Sequence, residues 1–289
     1  ILSTATDIGA LGTDDIFGIG LLNGAKALGG PVYINDKIVV PASKTWEFSN
    51  YIRGGKLEKE GAGKLILKGD TGFYSWQNTE INEGILDIRG RHSSGIKIGS
   101  AGTLITNSNT KIGKDVINKG ILKNVGKGAI IEGNYTAEYG SVTEAEIGTK
   151  LIVKGTVKID GRERNQALGS TLRVLNNNYV TAEPTTATVI EAEKGIEGKF
   201  EKVETDELIN GKVENKGNLV EATISRKNVE DYVNNLSNSD ETQKNTAKNV
   251  EVSFKELDKK IEEGNTDVSE FALNAAKLQK NSLSPISST

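Results

Sequence analysis

Through the middle of the chain, apolar and polar residues alternate in short bursts, each opened by a glycine. Gly84-Ile-Leu-Asp-Ile, Gly102-Thr-Leu-Ile-Thr and Gly120-Ile-Leu-Lys-Asn follow one another at intervals of 18 residues. Gly63-Lys-Leu-Ile-Leu precedes them by 21 and Gly140-Ser-Val-Thr follows by 20. Gly155-Thr-Val-Lys-Ile and Gly169-Ser-Thr-Leu-Arg-Val continue the series at tighter spacing. Alternation with period two predicts strands, with Leu86 and Ile88 inward and Asp87 and Arg89 outward. One such strand cannot bury its apolar side alone, and stacked copies supply the partner. The expected fold is mainly β: a parallel β-helix, or solenoid, of about 18–21 residues per coil. The glycines mark corners, where positive φ is easiest for Gly and next easiest for Asn. Asn82-Glu-Gly84 and Asn118-Lys-Gly120 fit that expectation.

Beyond the repeats, residues 187–191, 195–200 and 212–224 predict longer strands. Asn-Asn-Asn-Tyr at 176–179 and Pro184 break the rhythm. Residues 165–225 are therefore expected to hold the last coils and a β-rich cap, since an open solenoid end leaves a sheet edge to cover. From 226 glycine thins out and helix formers take over. Val250, Phe254, Leu257 and Ile261 fall on one helical stripe, and Gly264-Asn265 ends that helix. Asp267 with Glu270 predicts the next cap; Phe271, Ala272, Ala275 and Leu278 predict its apolar face. Ser-rich residues 282–289 read as disordered. At the other end, Asp14-Asp15-Ile-Phe-Gly-Ile-Gly-Leu-Leu-Asn-Gly predicts a turn and then a short amphipathic helix, too small to be a domain. Four units are expected: 1–30, the close of an upstream domain; 31–164, the solenoid; 165–225, the cap; 226–289, a helical linker.

Composition narrows the function. The 289 residues carry 36 Lys and Arg against 39 Asp and Glu, a net charge of −3, which gives no basic footprint for nucleic acid. With no cysteine, disulfides and thiolate chemistry are excluded, as suits a chain that crosses a membrane unfolded. No apolar run approaches the ~20 residues of a membrane helix. There is no methionine, and Ile1-Leu-Ser-Thr-Ala-Thr resembles neither a start nor a signal peptide, so a longer polypeptide is expected.

Ile1-Leu-Ser-Thr-Ala-Thr-Asp-Ile-Gly-Ala and Phe17-Gly-Ile-Gly-Leu-Leu-Asn-Gly-Ala-Lys-Ala-Leu resemble the closing segment of subtilisin-like serine protease domains. Lys56-Leu-Glu-Lys-Glu-Gly-Ala-Gly-Lys-Leu-Ile-Leu-Lys-Gly, followed by Asn78-Thr-Glu-Ile-Asn-Glu-Gly-Ile-Leu-Asp-Ile, resembles the passenger-associated repeat of bacterial autotransporters, with Glu60 inserted between the usual Lys and the Gly-Ala-Gly. The helices at 240–280 are similar to the segment that precedes the outer-membrane barrel in subtilisin-type members. The resemblance implies a secreted or surface passenger of a Gram-negative bacterium. Its partners would be an upstream protease domain and a downstream outer-membrane β-barrel of the same polypeptide, with virulence and autochaperone roles. A host protein or glycan is a further possible partner.

No catalytic site, metal or cofactor is expected in the chain itself. The subtilisin-type Gly-Thr-Ser-x-Ala-x-Pro motif is absent. The single histidine, His92, could act as a base only with Ser93 or Ser94, and is expected to be an exposed loop residue. Glu58 and Glu60, Asp87, and Glu144 and Glu146 are the carboxylates to test for glycan chemistry; interspersed lysines and arginines favour a solvated wall. Asp7, Asp14 and Asp15 read as caps rather than a cation site. Phe73, Tyr74 and Trp76 form either a sugar platform or packing in a turn. Three functions follow in order: non-catalytic stalk, adhesin, glycan-active β-helix enzyme.

Overall fold

The computed structural model describes residues 2–74, 78–160, 169–265 and 268–281. The 164/165 boundary, Trp76, the cap at Asp267 and the tail 282–289 lie outside them. The architecture is a three-faced parallel β-solenoid. The first face stacks Thr45–Phe48, Lys64–Leu67, the ends of Thr79–Ile88 and Ile96–Thr106, then Ile121–Asn124, Val142–Glu146, Thr171–Leu175 and Lys202–Glu204. The second runs from the start of Ile52–Glu60 through Thr71–Phe73, Arg91–His92, Lys111–Ile112, Ala129–Ile131 and Leu151–Val153 to Thr185–Ala192. The third stacks Val116–Asn118, Tyr135–Ala137, Val157–Ile159 and Ile196–Gly198 below the start of Ile96–Thr106.

In-register parallel pairing puts like residues on like. Leu65, Leu86, Leu104 and Leu122 form one inward column with no exposure, continued by Thr143 and Leu172. Leu86 and Ile88 point inward as expected. Arg89 is outward and exposed; Asp87 is outward too, yet buried beneath Lys64 and Arg89. The copy at Gly155 belongs to another face than those at Gly84, Gly102 and Gly120: its strand Val157–Ile159 pairs with Tyr135–Ala137 on the third face.

The glycine rhythm has a different cause from the one expected at two of its three core positions. Gly84 has φ +70°, but Gly102 and Gly120 do not adopt positive φ. What the three share is crowding between coils. A Cβ on Gly102 would sit 2.3 Å from the Ile81 carbonyl oxygen, and one on Gly120 would sit 2.2 Å from that of Gly99.

The cap reverses strand direction. Ile209–Lys216 and Leu219–Arg226 form an antiparallel hairpin through a Gly217-Asn218 turn, so the continuous strand expected at 212–224 is two strands. Leu219–Arg226 then pairs antiparallel with Thr185–Ala192. Helices α2 (Val229–Asn234), α3 (Glu241–Glu262) and α4 (Ser269–Asn281) follow. Asp240 and Gln243 open α3 with a reciprocal capping box at its N-terminus. The α4 face is rotated from the expected stripe. Ala275, Ala276 and Gln279 are buried while Phe271 and Leu278 are half exposed, because Gln279 reaches in to bond both the amide and the carbonyl of Val180.

Candidate functional site

His92 corrects the sequence reading most sharply. It is not an exposed loop residue: it lies on Arg91–His92 with 0% exposure, inside the solenoid. Adjacent strand residues alternate faces, so Ser93 points out and donates to the Phe73 carbonyl at 2.8 Å. Ser94 points in, with Oγ 3.0 Å from His92 Nε2. Thr79 lies 2.9 Å from Nε2, Thr71 lies 2.7 Å from Nδ1, and the Phe73 ring packs 5.6 Å away. Burial pulls the His92 pKa down to about 4. A neutral imidazole donates at one nitrogen and accepts at the other, so hydroxyls that both give and take a proton satisfy it. His92 and Ser94 therefore meet, but with a threonine where a triad has its carboxylate and with both residues fully buried.

A second buried group is Lys59. It faces inward between outward Glu58 and Glu60, and its Nζ donates to the carbonyls of Glu60, Gly61 and Glu83 at 2.6–3.0 Å. Burial lowers its pKa. This lysine ties two stacked corners together. The signal was legible as strand alternation, since Glu-Lys-Glu places the middle residue inside. Asn118 does similar work, donating to Tyr135 Oη and the Val142 carbonyl.

The outward carboxylates are spread and paired. Glu58 meets Lys56, and Glu60 meets Lys37 at 3.6 Å. Asp87 is held by Lys64 at 2.8 Å and Arg89 at 3.1 Å. Glu144 is held by Lys123 and Arg173, and Glu146 accepts from Asn177. No group of three or more metal-ligating side chains forms among the described residues. Asp14 accepts from the amides of Ile16 and Phe17, which holds its carboxyl below the usual range, and Asp7 accepts from Gly12. These acids brace the turn. The cap of α1 (Gly24–Leu28) is Asn23. Phe73 is buried against His92 and Tyr74 is exposed, so the two do not make one flat platform.

Two larger surfaces remain. Apolar side chains of the first forty residues are left open, including Ile16 at 82% and Leu28 at 90% exposure. Trp46, first in the inner Leu column, is 39% exposed. On the second face lies a polar groove of about 610 Å³ between Tyr51, Arg91 and Glu132.

This chain is 30% identical over 190 residues to the autotransporter lipoprotein NalP of Neisseria meningitidis serogroup B. It is thus similar to part of an autotransporter. That match covers 61% of the chain but only 17% of the relative. A 28% match over 172 residues to an extracellular serine protease of Serratia marcescens covers 54% of the chain and 15% of the relative. A 35% match to serotype-specific antigen 1 of Mannheimia haemolytica spans 94 residues, 32% of the chain. The chain therefore spans less than a fifth of the length of these relatives. No protein-family model matches it. No helix among the described residues is long and apolar enough to cross a membrane.

Proposed function

We propose that the chain is a non-catalytic passenger stalk of a subtilisin-like autotransporter, which holds and helps to fold a serine endopeptidase at the bacterial surface. The observation that carries this reading is the contrast between the solenoid's two ends. The C-terminal end is closed by the hairpin and helices. The N-terminal end presents Ile16, Leu28 and Trp46 to solvent, where an upstream domain would cover them. The segment that resembles the close of a subtilisin-like domain is the one that carries much of this apolar surface. The sealed His92 and the paired carboxylates support a scaffold over a hydrolase. The likeness to an autotransporter lipoprotein supports an outer-membrane route and a downstream barrel.

In this reading the hairpin is the folding seed, and each coil that packs on it resists slipping back through the membrane. Removing residues 209–226 from the full-length protein is expected to lower surface display and leave the passenger sensitive to added protease. Wild-type display with wild-type protease resistance would sink the proposal.

A further inference from the structure

The second face carries a groove whose shape follows from register. Its outward residues form two neighbouring columns. One holds Tyr51, Asp70, Arg91 and Lys111, fixed by the pairings of Ile52 with Thr71, Thr71 with His92 and Arg91 with Lys111. The other holds Arg53, Gly72, Ser93, Gly113 and Glu132. Three successive small residues therefore leave a trough beside a polar wall. Larger residues close both ends. Tyr51 lies across Gly72, where a Cβ would come 2.2 Å from its hydroxyl, and the residue is 55% exposed. Glu132 stands at the far end, held by Lys111 at 2.6 Å.

The charges here differ from the rest of the wall. Arg89, Arg173 and Arg226 each hold a carboxylate of the chain. Arg53 and Arg91 hold none among the described residues, and both point outward on this face. Asp70 accepts from the Arg91 amide at 2.8 Å, and Arg91 lines the trough with no carboxylate partner for its guanidinium among the described residues.

We propose that this groove binds a short acidic oligosaccharide bearing carboxylate groups. Tyr51 offers a ring face for the C–H side of a pyranose. Arg91 offers the planar fork that takes a carboxylate through two parallel bonds, with Arg53 as a second cation two coils away, beside Tyr51. Glu132 and Asp70 accept from sugar hydroxyls. Coils are stacked about 4.8 Å apart, close to the advance of one sugar along a chain, so successive rings meet successive coils. The two carboxylates in the groove disfavour a densely sulfated polyanion. The charged lining of Asp70, Arg91, Lys111 and Glu132 disfavours a peptide anchored by apolar side chains. The site would give the stalk's outer wall a binding role of its own, and it stands on this chain alone, whatever lies upstream.

The test is titration of the 289-residue chain with four probes: a trigalacturonate, a sialylated lactose, maltotriose and a sulfated heparin hexasaccharide. At least one carboxylated probe is expected to bind at least tenfold more tightly than maltotriose. Amide shifts should centre on Tyr51, Asp70, Arg91 and Lys111. Arg91→Gln should weaken that probe about tenfold or more, Arg91→Lys should restore it only in part, and Tyr51→Ala should weaken both the trigalacturonate and the sialylated lactose. Lys158→Gln, on another face, should change nothing. All three substituted side chains are exposed, so unchanged melting curves are expected and will separate lost binding from lost fold. No binding of either the trigalacturonate or the sialylated lactose, the two unsulfated acidic probes, at millimolar concentration overturns the proposal. So does equal binding of maltotriose, preference for the sulfated probe, or binding indifferent to Arg91.

Discussion

A single inward side chain can set the acid limit of a solenoid. His92 has a folded pKa near 4, below its ordinary value of 6.5. The unfolded chain therefore binds the proton first as pH falls. The stability this neutral imidazole confers is complete above about pH 6.5, is lost progressively between 6.5 and 4, and falls no further below 4 on its account. The shift corresponds to about 3 kcal/mol. Urea unfolding between pH 7 and 4 should show that loss, and His92→Gln should flatten the slope in this window while lowering stability at pH 7. An unchanged slope would exclude His92 as the titrating group. At the corners, Gly120→Ala should cost roughly 1–3 kcal/mol through overpacking against Gly99 and Gly102, read as a lower urea midpoint. The equivalent change at Gly140, where a Cβ meets nothing within 4 Å, isolates the effect of positive φ alone.

At the scale of elements, the helices are joined to the cap by a buried ionic latch. Arg226, the last residue of the hairpin, bonds Glu251 at 3.0 Å and Asp258 at 2.8 Å, and all three are buried. Tyr179 adds a bond to Asp258 at 2.9 Å, and burial raises its hydroxyl pKa. Arg226→Ala leaves two carboxylates buried without their cation and should cost about 3–5 kcal/mol. Hydrogen exchange should place that loss in α3 and α4, with the coils near Leu104 unchanged; uniform loss of protection would refute a local latch.

These elements also show how far sequence carries. Strand alternation and glycine spacing revealed the coils because each repeats a local pattern. The sequence did not reveal that Gly102 and Gly120 yield to neighbours a coil away, since no local φ requirement marks them. The α4 stripe was misjudged because its Phe271 and Leu278 look apolar, whereas a specific bond made Gln279 the buried contact. His92 looked exposed because its partners Thr71 and Thr79 are distant in sequence. The groove was invisible for the same reason: Tyr51, Arg91 and Glu132 become neighbours only once register is fixed.

For the whole molecule, stability is close to a sum over neighbouring coils, so its ends matter more than its size. The N-terminal end begins with a partly exposed Trp46, while the last coils are covered by the hairpin. Amide protection in the isolated chain should therefore rise from the strand Thr45–Phe48 toward Val142–Glu146. Leu122→Ala, in the unexposed column, should cost about 2–5 kcal/mol and loosen the coils on its N-terminal side more than those next to the cap. A flat exchange profile would show that the solenoid opens as one body instead.

The direction of the hairpin has a last consequence. A parallel stack offers at each end an edge that an identical stack could extend, and crowded copies could then grow into fibres. Here Leu219–Arg226 runs against Thr185–Ala192, and the outermost strand presents Lys212, Glu214 and Lys216 to solvent. A second copy arriving with its first coil would meet reversed polarity and charge. The hairpin is thus a full stop in a language of repeats: each molecule ends its own sentence, and neighbours packed side by side stay separate.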